Sequence, residues 1–199
     1  MRRVVVLALL AMTLPMAAWA NSISLSNQYG TISVSNAGIV SKGSQLMSFN
    51  GISAPAGHNL GTINFSTGAL LSGSLTGSAT FSAIGSSFTI TGIGKYGQPH
   101  GAIFVGSFVG PITLTLVTQN PHSAVWTLTG QIQGMSMGHM VTGTTTQTIY
   151  STTTQIAGGI GHIRVGSTSM TAPEPGTLGL LGTGLVGIAG VFRRKLLGA

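Results

Sequence analysis

Apolar and hydroxyl side chains alternate along most of the chain. Ser22-Ile23-Ser24-Leu25-Ser26, Thr31-Ile32-Ser33-Val34-Ser35 and Ile112-Thr113-Leu114-Thr115-Leu116 keep strict register. Phe88-Thr89-Ile90-Thr91 and Trp126-Thr127-Leu128-Thr129 repeat it. A period of two places apolar groups on one face of a strand and hydroxyls on the other. Turn signals recur between these runs, among them Asn50-Gly51, Thr76-Gly77, Gly97-Gln98-Pro99, Gly110-Pro111 and Asn120-Pro121. Short strands at such spacing predict an all-β body, an antiparallel β-sandwich or a barrel-like fold. Gly-Ser-Thr steps such as residues 68–77 suggest a β-solenoid as a second reading, but no fixed period supports it. Residues 38–61 alternate weakly and read as a long loop or edge region. No helical period falls between Asn21 and Ala172.

The two ends differ from this body. Arg2-Arg3, the apolar stretch Val4 to Leu14 and the small-x-small site Ala18-Trp19-Ala20 form a signal helix cut after Ala20. At the other end, Pro173-Glu174-Pro175 precedes an uncharged apolar run, Thr177 to Phe192, and then Arg193-Arg194-Lys195. As a helix at ~1.5 Å per residue the run reaches about 24 Å, a short span of a ~30 Å hydrocarbon core. Cations after the run stay cytoplasmic, which places everything before Pro173 outside. Gly182-Thr183-Gly184-Leu185-Val186-Gly187 matches a dinucleotide-binding pattern, but it lies in this run with no strand–turn–helix unit around it. The expected organisation is a signal peptide (1–20), a β-rich secreted body (21–166), a polar linker (167–172) and a sorting or anchor segment with a transmembrane helix (173–199).

The C-terminal arrangement resembles the PEP-CTERM sorting signal of Gram-negative bacteria. The residues that carry the resemblance are Pro173, Glu174 and Pro175, the apolar run, and the basic stop Arg193, Arg194 and Lys195. It implies export and an inner-membrane intermediate. It further implies an exosortase-like processing protease as partner, and delivery to the cell surface or the extracellular polysaccharide matrix. It implies nothing about the chemistry of the body.

Charge narrows that chemistry. Glu174 is the only acidic residue in the chain, and there is no cysteine. The body keeps only Lys42, Lys95 and Arg164 as cations. Three scattered cations make no phosphate-tracking stripe, so no nucleic-acid partner is expected. A Ser-His-Asp triad, a glycosidase pair and a calcium loop all require carboxylates that the body lacks. An enzyme is therefore not expected, nor is a cofactor.

Two local features carry candidate binding chemistry. In Gly134-Met135-Ser136-Met137-Gly138-His139-Met140, an extended backbone would put Met135, Met137 and His139 on one face, a donor set for Cu(I) or Ag(I). The plainer account is that the methionines fill the core. Thr142, Thr144, Thr146 and Thr148 share a strand face, as do Thr113 with Thr115 and Thr127 with Thr129. Such ladders suit ice or exopolysaccharide, with Trp126 or Tyr150 as a stacking face; they also suit the wet face of an uncharged sheet. The five histidines show no zinc spacing. A structural or adhesive matrix protein is the expected role. The alternatives are a small module binding soft metal or polysaccharide, and a permanently tail-anchored envelope protein. Low charge leaves strand edges unguarded, so self-association is also expected.

Overall fold

The computed structural model describes residues 22–172. The expected signal helix and transmembrane helix lie outside the described residues. So do the cleavage-site residues Ala18 and Ala20, the motif Pro173, Glu174 and Pro175, and the stop Arg193, Arg194 and Lys195. The described chain forms strands β1 (Ser22–Gln28), β2 (Thr31–Ser35), β3 (Gly38–Phe49), β4 (Ile52–Ser53), β5 (Gly61–Ser66), β6 (Leu70–Gly73), β7 (Ser78–Phe81), β8 (Ser87–Ile93), β9 (His100–Asn120), β10 (Ser123–Ser136), β11 (His139–Ser151) and β12 (Ile160–Thr171). It contains no helix among the described residues.

The strands close into an eight-membered antiparallel barrel, β10-β11-β12-β1-β3-β5-β8-β9 and back to β10. Several staves are long strands with a break. Asn27 faces Gly166 and Thr31 faces His162, so β2 continues the line of β1 along β12. Tyr29 and Gly30, with φ of 62° and 80°, form the break between them. Likewise β5–β6 and β7–β8 make one long interrupted hairpin, whose β7 and β8 both pair with β9. The staves therefore run up and down in chain order, and β12 on β1 closes the ring.

An eight-stranded barrel has an interior that side chains can just fill. Trp126, Phe65, Phe81, Phe88 and Phe104 are among its fully buried groups. The Phe65 and Phe88 rings stack at 5.7 Å, and Phe88 meets Phe104 and Phe108 edge-on at 6.0 and 5.7 Å. Full burial of each such ring contributes about 1.5–3 kcal/mol. The outward face carries many hydroxyls, beside exposed apolar groups such as Val40, Val105, Val117 and Val165. Thr80, Thr113, Thr129, Thr146, Ser167, Ser26 and Ser48 stand opposite one another in a row across seven strands.

The barrel is one of the two all-β forms expected for the body. Two other expectations change. Residues 38–49 are strand β3 rather than loop: inward Ser41 and Ser44 and the bulge between them break the alternation. The expected linker at 167–172 is largely strand. Residues 167–171 end β12, and Thr168 points inward because its hydroxyl lies 2.8 Å from that of Thr145. Closure also removes most strand edges on which self-association was expected. Short β6 pairs only with β7 and keeps a free edge.

A small polar network sits inside, across the closing seam. Asn27 Nδ2 donates to Ser44 Oγ at 2.7 Å and to Gln147 Oε1 at 2.8 Å. Gln147 Nε2 donates back to Asn27 Oδ1 at 3.3 Å and to Thr145 Oγ1 at 2.8 Å. Gly166 lies between Gln147 and Asn27 in the same row, and a Cβ there would collide with both amide oxygens. Only glycine leaves room for the amide pair to meet over β12.

Candidate functional site

The end of β12 is where the fold meets the C-terminal motif. Thr171, the last strand residue, pairs with Ser22 on one side and Thr142 on the other. The chain therefore enters the barrel at Ser22 and leaves it after Thr171 at adjacent points of one rim. Only Ala172 separates the final strand residue from Pro173.

The same rim gathers other features. The β10–β11 hairpin turns there through Met137 and Gly138, with φ of 49° and 85°, the left-handed pair of a two-residue turn. Consequently Met135, Met137 and His139 share no extended face. Met135 stands outward opposite Met140, Met137 occupies the turn, and His139 pairs with Ser136 on the opposite face from Met135. The turn parts the expected soft-metal set. Among the described residues, no cluster of three or more His, Cys, Asp or Glu side chains is placed to hold a metal ion. His58 and His100 also lie at this rim, with His58 against Tyr96 at a ring distance of 6.1 Å.

The threonine ladders do face outward, with Thr142, Thr144, Thr146 and Thr148 on one side of β11 and Thr145 and Gln147 buried on the other. A shallow groove crosses them. One part, about 330 Å³, is lined by Val109, Gln131, Gln133, Thr142, Thr144 and Thr171. The adjoining part, about 310 Å³, continues along Gly110, Pro111, Thr113 and Thr129. Its wall comes from an irregularity in β9: Thr129 faces Thr113, but Gln131 faces Val109, so β9 carries extra residues at Gly110 and Pro111. Proline in a strand belongs at such a bulge. Sequence reading took Gly110-Pro111 as a turn and missed Gln131 and Gln133. A Gly-Pro pair flanked by two alternating runs is the signal that marks the bulge. Trp126 offers no stacking face, because it is fully buried, whereas Tyr150 is exposed.

The structure thus places an intact barrel directly before the Pro-Glu-Pro segment. Residues 171–195 match the PEP-CTERM protein-sorting motif. The match supports a PEP-CTERM protein, and the motif implies export through a C-terminal sorting signal and processing by an exosortase, a membrane protease. No curated protein and no solved structure matches the chain.

Proposed function

We propose that residues 21–172 are the working molecule: a non-enzymatic, structural or adhesive barrel delivered to the cell surface or extracellular matrix. The observation that carries this reading is the closure of β12 on β1, which finishes at Thr171, two positions before Pro173. The described strands close the ring by pairing with one another, so processing near the motif would release a complete barrel. The hydroxyl-covered exterior suits a hydrated surroundings, and the body carries no carboxylate or thiol for acid–base or nucleophilic work. Intact mass of the mature protein tests it. A C-terminus near Pro173 supports release, and one at Ala199 supports the tail-anchored alternative.

The groove favours one further reading, weak contact with a neutral polysaccharide. Its lining of Thr hydroxyls and the Gln131 and Gln133 amides offers donors and acceptors without charge. Retention of the protein on matrix polysaccharide, lost in a Gln131→Ala, Gln133→Ala variant, is the expected result. Equal retention of both forms would remove the groove from the account.

A further inference from the structure

Very few residues lie between the barrel and the apolar run of the sorting segment. Residues 172–176 separate Thr171 from the apolar run at Thr177. Fully extended they reach at most about 18 Å. The interfacial layer outside the hydrocarbon takes up roughly 5–7 Å of that. A tail that spans the membrane would therefore keep the exit rim within about 11–13 Å of the headgroups.

One element bridges that gap. Thr142 is level with Thr171, and β11 begins three positions earlier, at His139. At ~3.4 Å per residue the β10–β11 tip runs on the order of 10 Å past Thr171 along the strand direction. The tip is apolar and exposed. Met135, Met137 and Met140 are 45%, 54% and 48% exposed, and Val105 extends the Met135–Met140 row on β9. Lys95 and Tyr96 stand on the neighbouring loop between β8 and β9, and no acidic side chain lies anywhere in the described residues to repel anionic headgroups.

The turn chemistry points the same way. A left-handed turn position ahead of glycine favours asparagine, as at Asn50-Gly51, where φ is 47° and 82°. Two bulky residues at this rim, Met137 and Tyr96, hold φ of 49° and 62° ahead of glycine, as Tyr29 does at the β1–β2 break. Such residues are uncommon there, and a local rule broken at an exposed site calls for a functional reason.

We propose that the β10–β11 tip, through Met135, Met137 and Met140, docks on the outer surface of the inner membrane while the sorting tail is in place. The occupant is the lipid interface: adaptable thioethers enter the headgroup boundary, and Lys95 meets anionic lipid. The inference rests on the sorting reading, because the short tether supplies the proximity.

The absence of cysteine allows a direct test with single probes in the full chain. A polarity-sensitive label is placed at His139→Cys on the tip, at His122→Cys on the opposite rim and at Leu185→Cys in the tail. Each variant is reconstituted in phosphatidylethanolamine–phosphatidylglycerol vesicles carrying a lipid-borne quencher. Several-fold stronger quenching at His139→Cys than at His122→Cys is expected, falling when Met135→Ser, Met137→Asn and Met140→Ser are combined. Equal weak quenching at both rims, with Leu185→Cys strongly quenched, overturns the docking and leaves the sorting reading standing. Quenching at His139→Cys without quenching at Leu185→Cys supports docking and overturns the spanning tail. No quenching at any of the three overturns both.

Discussion

Asn27 and Gln147, 120 residues apart, exchange amide hydrogen bonds inside the barrel directly over Gly166. The pair joins β1 to β11 across β12 and so locks the seam at which the ring closes. A one-position slip of β12 would put a side chain where only hydrogen fits, and would turn every inward group of that strand outward. Burying polar groups costs stability unless they are bonded, so this pair acts mainly on register.

Asn27→Leu and Gln147→Leu should each lower stability by about 1–3 kcal/mol, because each leaves a buried partner unsatisfied. The double variant should lose less than the sum, which urea unfolding of all four forms measures. Gly166→Ala should cost a similar amount through overlap alone, on the order of 1–3 kcal/mol.

Met137→Asn should stabilise the fold by about 1 kcal/mol, since asparagine tolerates the left-handed turn that methionine occupies under strain. Thermal unfolding reads this directly. A loss of stability would mean that the Met137 side chain packs on the barrel in a way its exposure does not suggest.

A chain ending at Ala172 should unfold cooperatively with a β circular-dichroism signal. A chain ending at Val165 should not fold, because it lacks the β12 residues 166–171 that pair with β1. Folding of the shorter form would show that closure is dispensable.

The body should keep its β signal at pH 3. Carboxylates stabilised in the native state lose that contribution as pH falls, and residues 21–172 contain none. All five histidines are exposed, so none belongs to the buried core. Loss of the signal at pH 3 would contradict this.

The period-two pattern made the all-β class legible, because inward apolar and outward hydroxyl residues alternate wherever the interior is hydrocarbon. It failed where the interior is polar. Ser41, Ser44, Thr145, Gln147 and Thr168 face inward, so β3 and the end of β12 read as loop and linker. Closure itself was not legible, since β12 finds β1 from the far end of the body. The sorting motif was legible because its order of turn, apolar run and cations needs no tertiary partner. The groove was not, because it depends on where β9 bulges against β10.

Mass spectrometry of the protein recovered from its producing cells tests the central claim most directly. The account predicts a mature chain that begins at Asn21 and ends near Pro173, still folded as the closed barrel. A mature chain that retains Arg193, Arg194 and Lys195 and ends at Ala199 would contradict it.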